Sequence, residues 1–210
     1  MTVLQVAISM LVAYLLGSIP SGYWIGKFIY HKNLLELGSG NIGTTNTFRV
    51  LGKTAGILVF IADILKGTAA ASMAYAWGPL PASQHFWVLI IGVVAVIGHT
   101  FSFWLKFKGG KGVATSVGLL LAYSPTLFLV AFGFFFLGLL LSSMVSVASL
   151  TGFVLSTIIF WLIGDSVLAT VCTVLTVFVF YLHRTNLKRI AQGTESTISF
   201  GIPYWIKKKD

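Results

Sequence analysis

The stretch "LQVAISMLVAYLLGSIPSGYWIG", residues 4–26, carries no charged side chain from end to end. A helix needs about 20 apolar residues to cross a hydrocarbon core about 30 Å thick, so this stretch predicts a transmembrane span. It has no basic region before it and is long for a leader's apolar core, which favours a retained span over a cleaved signal peptide. Further apolar runs at 55–77, 86–104, 112–124, 126–141, 147–163 and 166–182 raise the expected count to seven. The fourth is short, and Pro125 in "YSPT" predicts a break before the fifth. With 57% hydrophobic and 9% charged residues among 210, the chain has too much apolar surface for a soluble domain. No fixed repeat, low-complexity tract or long linker interrupts it, so residues 1–210 read as a single membrane domain, all α.

Charge placement orients the spans, because cytoplasmic loops carry the Lys and Arg excess. Lys27, Lys32, Arg49 and Lys53 follow the first span, Lys106, Lys108 and Lys111 the third, and Arg184, Lys188, Arg189 and Lys207, Lys208 and Lys209 the seventh. The loops after the second, fourth and sixth contain neither residue. Seven crossings with the N-terminus outside and the C-terminus cytoplasmic put every basic cluster on the inner face. Merging spans four and five would separate the tail from the first loops. The net charge of +9 therefore follows from topology and anionic headgroups, with no nucleic acid as partner.

Two loops on that face are rich in anion-binding groups. In "GSGNIGTTNTFR", residues 38–49, Gly38, Gly40 and Gly43 let backbone N–H groups converge, and Ser39, Asn41, Thr44, Thr45 and Asn46 add side-chain donors. Arg49 supplies a fork suited to phosphate. A flexible linker would also favour Gly and Ser, but it has no need of so many donors. In "WLKFKGGKGVATSVG", residues 104–118, Gly109, Gly110 and Gly112 surround Lys111 at the start of the fourth span, placing amides and an ammonium at a helix N-terminus. A P-loop is excluded, since no strand precedes the loop and G-x-x-x-x-G-K-[ST] is not met. Lys106 and Lys108 read as ordinary positive-inside residues.

Several polar residues fall within the spans. Asp63 and Lys66 share a helix face, either compensating one another or serving chemistry. "GSIPSG", residues 17–22, predicts a kink or unwound turn at Pro20, for helix packing or for shaping a cavity. Ser142, Ser146 and Ser149 follow helical spacing beside Ser143 and either bond i−4 carbonyls, pack helices or line a ligand site. His99 and His183 end spans on the basic side, as helix-end hydrogen bonders or as proton carriers. Cys172, the single cysteine, reads as packing, and no Cys/His cluster suggests a metal.

The segments "GSIPSGYWIGK", "GSGNIGTTNTFRVLGKTAGILVFIADILKG", "GHTFSFWLKFKGGKGVATSVG" and "HRTNLKRIAQGTE", in that order between the spans, closely resemble the PlsY family of acyl-phosphate:glycerol-3-phosphate acyltransferases. The resemblance covers nearly the full chain. It implies a multi-pass enzyme of the bacterial inner membrane with its active site on the cytoplasmic side. Such an enzyme acylates the 1-hydroxyl of sn-glycerol 3-phosphate from a fatty acyl phosphate, giving lysophosphatidic acid and phosphate without a cofactor. It would act as a monomer among membrane lipids, with the enzyme that makes acyl phosphate as a partner to consider.

Carried over by motif, the resemblance implies roles for Ser39 and Arg49 in the first loop. The glycerol 3-phosphate loop corresponds to Gly109, Gly110, Lys111 and Gly112, preceded by His99. His183 and Asn186 correspond to activity residues and Glu195 to a structural one. The serine-rich segment matches less securely, with Ser146 favoured over Ser149. Catalysis would rest on Ser39, Arg49, Lys111, His183 and Asn186, and substrate binding would draw also on Asn41, Thr45 and Ser146. Either His183 or a substrate phosphate oxygen would accept the hydroxyl proton. The H-x-x-x-x-D pair of soluble-facing glycerolipid acyltransferases is absent: five residues on from His85, His99 and His183 stand Ile90, Trp104 and Lys188, while His31 reaches Glu36. An organic-phosphate transporter is the alternative, although the outer loops lack a matching polar set.

Overall fold

The computed structural model describes Met1–Lys207; Lys208 and Lys209 of the expected basic tail lie outside the described residues. Among the described residues every regular element is a helix: α1 Val3–Ser18, α2 Ser21–Trp24, α3 Thr44–Leu51, α4 Lys53–Ser72, α5 Phe86–Thr100, α6 Val113–Tyr123, α7 Pro125–Ser142, α8 Val145–Leu162, α9 Ser166–Leu182, α10 Arg184–Ala191 and α11 Ile202–Lys207. Five segments are long and apolar enough to cross a membrane: Val3–Ile29, Lys53–Tyr75, Ala82–Leu105, Pro125–Ser142 and Val145–Leu162. The pair α9 and α10, bent by 60°, makes a sixth if taken as one span. The expected fourth span is α6, whose 11 residues rise only about 16 Å at ~1.5 Å per residue. The break expected at Pro125 is present, with Ser124 extended at φ −157°, ψ 110° and a new helix starting at Pro125.

The chain divides into two compact units, Met1–Pro125 and from Thr126 onward. In the first, α1, α4, α5 and α6 pack on one another, and α3 lies on α4. Apolar side chains gain little by leaving lipid for another helix, so small residues that admit close backbone approach decide such packing. Here they act reciprocally. Gly17 of α1 faces the Ala95 backbone of α5, while Gly98 of α5 faces the Tyr14 carbonyl of α1. Gly67 of α4 faces the Thr115 carbonyl of α6, and Gly118 of α6 faces the Ile64 carbonyl of α4. Each pair is thus closed at two points, while Leu11, Ile61 and Leu65 remain exposed for lipid.

The second unit is built on α7, α8 and α9. Gly138 of α7 packs on Ala148 and Thr151 of α8. Between α8 and α9 the Thr157 hydroxyl meets Thr176 at 2.9 Å and donates to the Cys172 sulfur at 3.2 Å, and Cys172 is buried as a packing residue. Ser142 and Ser149 donate to carbonyls four residues back, Gly138 at 2.7 Å and Val145 at 2.8 Å. That is one of the roles expected for serines inside apolar helices.

Candidate functional site

The first unit holds both glycine-bearing loops, and the break in its first span organises them. α1 stops at Ser18, and Pro20, which has no N–H to donate, is followed by the four-residue α2 and a π-helical turn, Ile25–Ile29. Carbonyls that a continuous helix would use are left for other partners. The Ser102 hydroxyl donates to the Ser18 carbonyl at 2.6 Å, and Lys66 Nζ donates to the Ile19 carbonyl at 2.6 Å. On α2, Gly22 sits against the Ile42 carbonyl of the first loop, and a side chain there would also come within 3.1 Å of the Thr47 hydroxyl. Trp24 meets Trp104 edge to face at 5.9 Å in the turn leading to the second loop.

The first loop is tied together by Asn46 of α3, only 2% exposed. Its amide nitrogen donates to the carbonyls of Leu37 at 3.0 Å and Asn41 at 2.8 Å, and more weakly to that of Leu34 at 3.3 Å. Its oxygen accepts from the Ser39 N–H at 2.9 Å and from an Arg49 guanidinium nitrogen at 3.2 Å. Ser39 and Arg49, expected to act on substrate, are thereby brought to one residue while both remain exposed. Gly38, at φ +64°, packs against the Asn46 oxygen and leaves no room for a side chain. The Asn41 side chain accepts from the Gly43 N–H at 2.9 Å, a local turn bond, and Thr45 stands half-buried in the first turn of α3. Sequence reasoning grouped Asn46 with the loop's donors; its place at the centre follows from the return of α3 beneath the loop, which residue types alone do not signal.

The second loop folds back over the end of α5. Phe107 N–H bonds the Ser102 carbonyl at 2.8 Å and Gly110 N–H bonds the His99 carbonyl at 3.1 Å. Lys106 and Phe107 adopt φ of +53° and +61°, a conformation costly for side-chain-bearing residues and found where surrounding structure holds it. Gly112, at φ +74°, begins α6. Gly109 lies on the His99 and Thr100 carbonyls, and Gly110 lies directly on the His99 Nε2. His99 is 5% exposed, so the structure places it beneath the loop, with Lys111 half-buried in the loop itself.

Under these loops sits the intramembrane ion pair. Lys66 Nζ lies 2.8 Å from Asp63 Oδ1, with both side chains almost fully buried. Asp63 Oδ1 is also 3.8 Å from His99 Nδ1, within Coulombic reach but beyond a direct hydrogen bond. Charges this deep persist only when paired, and the Ile19 carbonyl gives Lys66 a further acceptor.

The second unit brings Ser146, Asn186 and Arg189 together on Glu195. Glu195 Oε1 accepts from Ser146 at 2.9 Å and from the Asn186 amide at 2.7 Å, and Oε2 accepts from Arg189 Nε at 2.7 Å. Burial pushes the Glu195 carboxyl up, but the bonds from Asn186, Arg189 and Ser146, with the Arg189 charge, outweigh it and hold the group below the usual glutamate range. His183, 3% exposed at the bend between α9 and α10, makes a 2.8 Å bond from Nδ1 to the Val179 carbonyl. A carbonyl can only accept, so Nδ1 carries a proton, and the neutral form of the ring has its lone pair at Nε2.

Comparison with known proteins agrees with these motifs. A family profile described as glycerol-3-phosphate acyltransferase matches residues 7–193. A glycerol-3-phosphate acyltransferase of Limosilactobacillus reuteri is 54% identical, covering 95% of this chain and 94% of its own. One from Enterococcus faecalis is 51% identical over 98% of both. Among solved structures, the glycerol 3-phosphate form of PlsY (YgiH), an integral membrane glycerol 3-phosphate acyltransferase, superposes with a TM-score of 0.84 at 34% identity, covering 92% of this chain and 95% of that one. Its lysophosphatidic acid form gives 0.80 at the same identity and coverage. These matches lend nothing to a transporter, and the chain belongs to the glycerol-3-phosphate acyltransferase family.

Proposed function

We propose that this protein transfers a fatty acyl group from acyl phosphate to the 1-hydroxyl of sn-glycerol 3-phosphate in the first acylation of bacterial phospholipid synthesis. The observation that carries the reading is the pairing of family membership with two glycine-bearing loops gathered around the break in the first span. The hydroxyl oxygen forms a bond to the acyl carbonyl carbon, and the bond from that carbon to the phosphate oxygen breaks. Inorganic phosphate leaves with the electron pair, and lysophosphatidic acid remains. The donor is already activated, so no covalent enzyme intermediate is needed and most of the rate gain comes from orientation and electrostatics.

Lys111 and Arg49 hold phosphate and stabilise developing charge, Ser39 and loop amides other than that of Gly110 add hydrogen bonds around Gly109 and Gly112, and Thr45 adds a hydroxyl. The neutral His183 ring, with its lone pair at Nε2, is one acceptor for the hydroxyl proton, and a substrate phosphate oxygen is the other. Asn186 and Ser146 complete the functional set, and Glu195 maintains their local structure. Residues 1–210 act as one acyltransferase domain with seven membrane-embedded helices, the short α6 among them. The N-terminus lies outside and the basic loops lie inside, at the inner membrane of a bacterium. Because Lys66 is neutralised by Asp63 at 2.8 Å, it does not weigh against that orientation.

The test is lysophosphatidic acid formation by the purified protein in lipid, with glycerol 3-phosphate and either acyl phosphate or acyl-CoA. Turnover with acyl phosphate alone, lost in Lys111→Ala, is the expected result. No product with either donor would refute the reading. Uptake of an organic phosphate into sealed vesicles without chemical turnover would replace it with a transporter.

A further inference from the structure

Three buried ionisable groups in the first unit have no place in the reaction as written: Asp63, Lys66 and His99. They form one connected path. Lys66 bonds the Ile19 carbonyl at the break of the first span, at 2.6 Å, and Asp63 at 2.8 Å. Asp63 faces His99 Nδ1 at 3.8 Å. The His99 carbonyl holds the Gly110 N–H at 3.1 Å, and its Nε2 stands directly under Gly110, next to Lys111. The path starts where α2 seats the first loop and ends under the second.

We propose that Asp63, Lys66 and His99 are positioning residues that set the height and tilt of the Gly109–Gly112 loop, and so the place of the Lys111 ammonium. This rests on the reading of that loop as the holder of glycerol 3-phosphate. A buried pair that served only to neutralise charge would need no third group and no tie to the broken helix. Here Lys66 spends a hydrogen bond on the break itself, and the imidazole fills the space that the absent Gly110 side chain leaves. The arrangement accounts for glycine at position 110, where φ is not positive: any side chain would strike the His99 ring. It also makes His99 a support for the loop, in place of the direct substrate contact that the sequence suggested.

Two measurements test this in the full-length protein. Asp63→Asn keeps the side chain's size and removes its charge. It is expected to raise the apparent KM for glycerol 3-phosphate at least fivefold and leave that for acyl phosphate within twofold, because only the loop that holds the acceptor shifts. A purely structural role would lower the active fraction, and with it kcat, while leaving both KM values unchanged, and that result would overturn the proposal. The second is a cycle of Gly110→Ala, His99→Ala and the double variant. Gly110→Ala is expected to raise the acceptor KM more than tenfold alone and less than twofold when added to His99→Ala, since the imidazole it strikes is gone. Should Gly110→Ala alone fail to fold, recovery of folded protein in the double variant reads the same coupling. Additive effects, or a double variant no better folded than the single, overturn the proposal. A parent protein that makes no lysophosphatidic acid refutes the acyltransferase reading and this inference with it; an active parent with additive variants refutes this inference alone.

Discussion

Replacing Glu195 with Ala isolates the carboxylate that joins α8, α10 and the segment following α10. The change removes the acceptor for Ser146 at 2.9 Å, Asn186 at 2.7 Å and Arg189 at 2.7 Å. Ser146 and Asn186 are 5% exposed each, so loss of the carboxylate takes a hydrogen-bond acceptor from two buried groups. A buried polar group that loses its acceptor costs about 1–3 kcal/mol, and the loss at Ser146 by itself is of that size. Arg189 has a side chain 35% exposed and recovers water, so it adds little. In thermal unfolding of purified protein this lowers the apparent midpoint by on the order of 10 °C. Glu195→Gln should fall between parent and Ala variant, because one amide oxygen can still serve Ser146 and Asn186 while the amide nitrogen faces the Arg189 donor. The pH dependence has a definite sign. A carboxyl held below its ordinary value in the folded state contributes stability that is fully present above the unfolded-state value of about 4.3 and is lost as pH falls through the lower folded-state value. Stability of the parent relative to Glu195→Ala should therefore shrink as the medium is acidified below about pH 4.3. A Glu195→Ala midpoint within about 2 °C of the parent at neutral pH would refute the hydrogen-bond reasoning.

Three other outcomes follow from the same geometry. Asn46→Asp keeps the shape but turns a carboxylate toward the Leu37 and Asn41 carbonyls, and activity should fall at least tenfold; unchanged kinetics would show that Asn46 does not order the loop. Gly67→Ala places a methyl against the Thr115 carbonyl and should cost about 1–3 kcal/mol as overpacking, whereas Gly133→Ala, with nothing within 4 Å, should leave the midpoint unchanged; equal midpoints for the two would contradict the close α4–α6 approach. If His183 accepts the hydroxyl proton, His183→Gln should flatten the acid limb of the pH–rate profile and depress turnover strongly, and a profile of unchanged shape with a small drop would assign the proton to a substrate phosphate.

The membrane character, the positions of the apolar helices, the breaks at Pro20 and Pro125 and the identity of the family are all legible in the sequence. The reason is that each is a local property: about 20 consecutive apolar residues satisfy lipid wherever their neighbours lie, and proline disrupts a helix through its own ring. Motif order likewise survives in the linear chain. What only the tertiary structure decided are the partnerships across distance. Lys66 finds the Ile19 carbonyl 47 residues away and Ser146 finds Glu195 49 residues away. The sequence placed Asp63 and Lys66 on one face, but it could not show that His99 stands next to them with its far nitrogen under Gly110. It marked Asn46 as one donor of several, and the fold made it the residue to which Ser39 and Arg49 are both bound. Hydropathy is indifferent to which apolar helices touch, so that choice fell to the reciprocal glycines of α1 with α5 and of α4 with α6, whose effect exists only once two backbones meet.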